Sequence, residues 1–161
     1  MEPPQPQSPD EVTEISFIVA ESPVPMPRQR HGAIIGGDGK ARSVNYTDSK
    51  HRVHAYKFAI KQAATEAMGG RPKMAGPLHI GISCVLPRPK SLCRKKDPPG
   101  RVPCDKKIGD VDNMAKAVMD ACNDLTYLDD AQIWSLFATK EYAAIGEDPH
   151  VLVLIREAPH G

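Results

Sequence analysis

The chain has 161 residues, 40% of them hydrophobic and 25% charged, a globular composition long enough for one domain and short for two. No apolar run approaches the roughly 18 residues of a membrane span. The acidic, proline-rich start lacks the basic-then-apolar order of a secretory signal, so a cytoplasmic protein is expected. The formal net charge of +1 hides a strong segregation. Residues 71–107 carry ten bases against two acids, and residues 110–148 carry nine acids against only Lys116 and Lys140. A basic block attracts polyanions, whereas an acidic cluster repels them unless a cation intervenes.

Residues 1–12 read as a flexible proline-rich tail before a single domain over 13–158. The β-rich run ISFIVA at 15–20, closed by the proline cluster at 23–27, predicts a first strand. Residues 32–46 place GGDG between short apolar pieces, which predicts a hairpin turn or a loop. Thr47 or Asp48 can cap a helix running to about residue 68, with Val53, Tyr56, Ile60, Ala63 and Ala67 as its apolar stripe and Gly69-Gly70 as its stop. Leu78, Ile80, Ile82, Cys84 and Leu86 alternate with His79, Gly81, Ser83 and Val85, the pattern of a strand. A long basic loop at 87–108, rich in proline and glycine, follows.

The next apolar stripe, Met114, Ala117, Val118, Ala121, Cys122 and Leu125, predicts a helix at 113–124. Two strands at 131–140 and 150–156 complete the chain, with Trp134 and Phe137 assigned to strand packing. The order β-α-β-α-β-β gives an α+β fold, two helices packed on one mixed four-stranded sheet. The four cysteines, Cys84, Cys93, Cys104 and Cys122, form no C-x-x-C pair and read as reduced thiols. A zinc site on Cys93 and Cys104 is a minor alternative.

The chemistry concentrates in GDVDNMAKAVMDACNDLTYLDDAQ, residues 109–132. Asp110 and Asp112 precede the helix, where an extended chain would turn both carboxylates to one side, and Asp112 is a natural N-cap. Lys116 lies one turn further, on the same helical face as Asp112. After the helix, a short turn can return Asp130 beside Asp110 and Asp112. Three such carboxylates repel one another unless a divalent cation neutralises them, and oxygen-only ligands suit Mg2+ or Mn2+. Such a site would serve phosphodiester hydrolysis, with Lys116 as a positive charge at the phosphate. An EF-hand is excluded, because a loop starting at Asp110 has Ala115 where glycine is required and Ala121 where a bidentate Glu belongs. Taken singly, D-x-D and D-D are also common capping and turn elements, and Asp120 and Asp124 read as structural.

The stretch KKIGDVDNMAKAVMDACNDLTYLDDAQI resembles the RusA family of crossover junction endodeoxyribonucleases. Asp110, Asp112, Asn113, Lys116, Asp120, Asn123, Tyr127, Asp129, Asp130 and Gln132 fall on the family pattern of a D-x-D-N-x-x-K helix followed by Y-x-D-D-x-Q. PVPMPRQR, Tyr46-Thr47 with Lys50, and Lys140 match more loosely, and the likeness covers roughly 15–156. Gly109 stands where many members have Pro, and Asp124 where Gly is usual. The resemblance implies a homodimeric, Mg2+-dependent nuclease that resolves Holliday junctions by paired symmetric nicks, in recombination and repair, of a kind often carried on prophages. It implies Asp110, Asp112 and Asp130 as metal-binding carboxylates and Lys116 as the catalytic lysine. The DNA phosphates would be met by Arg28, Arg30, Arg88, Lys90, Arg94, Lys95, Lys96, Arg101, Lys106 and Lys107. Two other readings remain open at this point: a DNA-binding module without catalysis, and a metal phosphohydrolase acting on small phosphate esters.

Overall fold

Alternating burial along the predicted strands builds the architecture, here in a computed structural model that describes residues 13–158; the expected tail at 1–12 lies outside the described residues. Strand β1 (Glu14–Val19) buries Ile15, Phe17 and Val19 and exposes the residues between them. The GGDG segment is the turn of a hairpin, β2 (Arg30–Ile35) and β3 (Ala41–Tyr46), which forms a two-stranded sheet of its own. Helix α1 spans Val53–Met68. Strand β4 (Leu78–Leu86) follows, then a two-residue strand β5 (Val102–Pro103) within the basic loop. Helix α2 (Val111–Cys122) leads through a turn to β6 (Ile133–Tyr142) and β7 (His150–Glu157).

The main sheet has five strands in the order β1-β7-β4-β6-β5, with β4 and β6 parallel and the other pairs antiparallel. The α+β class and the two helices on a mixed sheet therefore hold, and the expected four strands become five plus a separate hairpin. The extra main-sheet strand escaped the sequence because β5 is only two residues long and contains Pro103, a poor strand signal.

Both helices cover one face of the main sheet. Val53, Tyr56, Ile60, Ala64 and Met68 of α1 and Met114, Ala117, Val118 and Ala121 of α2 share one core with Ile80, Ile82, Val151, Val153 and Ile155. The observed α1 stripe shifts from Ala63 and Ala67 to Ala64 and Met68, because spacings of three and four both keep one helical face. Helix α1 also begins later than expected. The Asp48 carboxylate accepts from the Lys50 N–H at 2.9 Å in a turn, and His51 Nδ1 accepts from the Val53 N–H at 3.1 Å, so a ring nitrogen does the capping work expected of Thr47 or Asp48. Gly69, at φ 55°, ends the helix as expected.

The second face of the sheet has no helix on it. Phe137 pairs across from Gly81 on this face and is 65% exposed. Trp134 sits at the register shift between Leu78 and His79 and is 68% exposed. The expectation that these two aromatics pack within the sheet is thus corrected: a bulge and a glycine leave them nothing to pack on. Among the described residues no helix is long and apolar enough to cross a membrane.

Candidate active site

The approach to α2 is held from three sides. Asp105 accepts from the Lys107 N–H at 2.8 Å and starts a single 3-10 turn over Lys106–Ile108. Gly109 then takes φ 101° and ψ 168°, a region open almost only to glycine. From β6, the Lys140 ammonium donates to the Gly109 carbonyl at 2.6 Å and to that of Asp105 at 3.4 Å. From the other side, Pro25 lies 3.5 Å from where a Cβ on Gly109 would stand, and the Met26 N–H donates to the Asn113 carbonyl at 3.0 Å. Gly109, Lys140 and the proline segment therefore aim the chain that delivers Asp110.

Asp110, extended at φ −84° and ψ 139°, is the N-cap residue, and its side chain makes no capping hydrogen bond. Asp112 lies inside the first helical turn, which corrects its assignment as the N-cap. The helix starts at Val111, two residues earlier than expected, so an extended Asp110 is followed by Asp112 in the first helical turn in place of a pair on one extended segment. Asp112, Lys116 and Asp120 follow at i, i+4 and i+8 along one face of α2. Asp112 and Lys116 are exposed. Asp120 is half-buried and bound by Lys57 of α1 at 3.2 Å, a cross-helix ion pair that its solvated reading missed.

After α2 the motif Y-x-D-D-x-Q folds into one tight unit. Asp129 accepts from the Ala131 N–H at 2.7 Å, and Gln132 Oε1 accepts from the N–H groups of Leu128 and Asp129. The Gln132 amide also donates to the carbonyls of Met74 and Gly76, tying the turn to the segment that leads into β4. Asp129 and Gln132 thus form a capping box. Asp130 is left outward, held by the hydroxyl of the fully buried Tyr127, 2.9 Å from its Oδ1 and 3.0 Å from the Met119 carbonyl. One hydroxyl proton serves only one of the two, and the charged carboxylate is the stronger acceptor. Burial, and then Asp130, push the Tyr127 phenol above its ordinary range, so it remains a donor. Burial, with Asp130 nearby, pushes the Cys122 thiol up to about 12. Tyr127 and Lys140 are positioning residues, signalled in the sequence only by their place in the matched pattern.

The Tyr127 hydroxyl thus holds Asp130 beside the Met119 carbonyl of α2. Among the described residues no group of three or more His, Cys, Asp or Glu side chains is arranged to hold a metal ion. Mg2+ and Mn2+ commonly take one or two carboxylates and fill their other positions with waters and phosphate oxygens, so Asp110 and Asp112, with Asp130, are the residues that would hold such an ion. Cys93 and Cys104 are free thiols, Cys93 exposed and Cys104 half-buried, and build no such group either.

The basic loop divides into two classes. Arg88 donates to the carbonyls of Leu92, Pro98, Gly100 and Ala143 and is the loop's internal brace. Arg101 binds the Glu147 carboxylate with Nε at 3.0 Å, and Arg94 pairs with Asp97 at 3.2 Å. These three were expected on phosphates; the structure engages their guanidinium groups within the protein. Lys90, Lys95, Lys96, Lys106 and Lys107 are exposed and make no ion pair among the described residues, as are Arg28 and Arg30.

The same stretch carries the match to known proteins. A family model described as Endodeoxyribonuclease RusA matches residues 21–156. The chain belongs to the RusA family. It is also 32% identical over 149 residues to a protein of Bacillus subtilis (strain 168) named "Uncharacterized protein YqaN", covering 89% of this chain and 96% of that one. RusA proteins are endodeoxyribonucleases, so the class of reaction is hydrolysis of DNA phosphodiester bonds. The RusA match encloses Asp110, Asp112, Lys116 and Asp130 together with Tyr127, Gln132 and Lys140 that hold their surroundings.

Proposed function

We propose that this RusA-family chain is a structure-specific endonuclease that resolves four-way DNA junctions by paired symmetric nicks, acting as a homodimer in the cytoplasm. The observation that carries the reading is the RusA match across the whole of the 109–132 segment. Its support from geometry is a pair of carboxylates, Asp110 and Asp112, at the start of α2, with Lys116 one turn along on an exposed face. Lys116 would donate to a phosphate oxygen of the scissile bond, where negative charge accumulates. Exposed lysines of the 90–107 segment would neutralise flanking phosphates, giving affinity that falls steeply with salt. A dimer suits a junction of approximate two-fold symmetry, since it presents two equivalent sites. Dependence on Mg2+, with Mn2+ as substitute, belongs to this reading, with Asp110, Asp112 and Asp130 as the carboxylates that would hold the ion.

A gel assay of four-way junction, Y-fork, duplex and single strand, each with Mg2+ or chelator, tests it. Selective symmetric nicking of the junction that requires Mg2+ is the expected result. Asp112→Asn should bind the junction as tightly as wild type and lose cleavage by at least about a hundredfold, the scale for removing one charge-stabilising catalytic group. Junction binding with no nicking under any condition would make the chain a DNA-binding module. Turnover of a chromogenic phosphate monoester, with indifference to DNA, would make it a small-ester hydrolase.

A further inference from the structure

An isolated two-stranded hairpin has too few partners to be stable in water, and proteins that keep one use its surface. No residue of β2 or β3 is buried, and the pair is separate from the main sheet. Its register is Arg30 opposite Tyr46, Gly32 opposite Val44 and Ile34 opposite Arg42, so these six share one face. Gly32 matters here, because a Cβ at that position would stand 3.1 Å from the Tyr46 ring. Its missing side chain lets the tyrosine lie across the ribbon over Gly32. Tyr46 is 50% exposed. Arg30 has no ion-pair partner among the described residues, and Arg42 has only Asp38 at 3.2 Å in an exposed pair, which a phosphate can displace. Across 28–46 there are four bases, Arg28, Arg30, Lys40 and Arg42, against the single acid Asp38.

We infer that the β2–β3 hairpin is a DNA-binding arm, its Arg30 and Arg42 contacting phosphates and Tyr46 stacking on a base left unpaired at a branch point. The occupant follows from charge complementarity and from an exposed aromatic that shares one face with two arginines, since aromatic rings and guanidinium planes hold unstacked bases. A two-stranded ribbon also has the width of the DNA major groove. The inference rests on the nuclease reading and names the part of the surface that recognises branching.

Anisotropy titrations of the full chain over a range of salt, against a four-way junction and a duplex of matched sequence, test it. Arg30→Gln with Arg42→Gln should flatten the slope of log affinity against log salt by about two, one for each lost phosphate contact. Tyr46→Ala should weaken junction binding roughly tenfold, leaving the salt slope and duplex binding unchanged. Thermal melts should match wild type, since none of these residues belongs to the core. A variant with 30–46 replaced by a short glycine linker should show both losses together. Wild-type junction binding that all these variants retain would overturn the arm and spare the nuclease reading. Dissociation of a dimer by the variants, without loss of DNA affinity per chain, would make the hairpin a contact between copies and overturn the arm. Failure of wild type to bind any branched DNA would overturn both.

Discussion

Gly109 and Tyr127 act on the candidate site without carrying its chemistry. At φ 101° and ψ 168°, Gly109 occupies backbone space that costs other residues roughly 1–3 kcal/mol, and proline, locked near φ −65°, cannot enter it. Gly109→Ala should lower stability by about 1–3 kcal/mol in urea melts and reduce nuclease activity more than DNA affinity, because Asp110 is re-aimed. Tyr127→Phe removes one buried hydroxyl and should cost about 0.5–1.5 kcal/mol. In single-turnover assays it should slow cleavage with junction affinity intact, and added to Asp130→Asn it should slow cleavage little further. Asp124, at φ 58°, sits in the left-handed region that favours glycine, which an aspartate tolerates here while pairing with Lys73 at 2.6 Å.

At the scale of elements, helices and long strands were legible because their periods are strong. Leu78 to Leu86 alternates as expected, and the α2 stripe is buried as expected, although the helix starts at Val111. The basic loop was legible as a loop but not in its organisation. Its bracing depends on Arg88 meeting the Ala143 carbonyl and on Arg101 meeting Glu147, partners more than 40 positions away in the chain. Arg101, with the Ala144 N–H, holds the Glu147 carboxylate down to about 2 from its ordinary 4.5. A depressed acid adds stability that is fully present above its ordinary value and is lost as pH falls towards the folded one. The clamp should therefore weaken between pH 4.5 and about 2. Glu147→Gln should melt lower than wild type near pH 6, and the difference should shrink as pH falls through that window in differential scanning calorimetry.

For the whole molecule, burial sorts the cysteines. Burial pushes the Cys84 and Cys122 thiols up to about 12, so neither supplies thiolate in the folded state at neutral pH. Iodoacetamide at pH 8 should label exposed Cys93 rapidly, half-buried Cys104 more slowly, and Cys84 and Cys122 only after denaturation, as read by mass spectrometry of peptides. By itself the sequence determined the α+β class, the opposed basic and acidic blocks and the residues Asp110, Asp112, Lys116 and Asp130, since periodicity, charge counts and motif spacing are all local along the chain. Only the tertiary structure decided that Asp130 is anchored by Tyr127 beside the Met119 carbonyl, that three of the expected phosphate-binding arginines are engaged within the protein, and that the 30–46 hairpin stands as a separate sheet. Each of these depends on which distant segments meet when α2 and β6 pack, and contacts of that kind have no period to read.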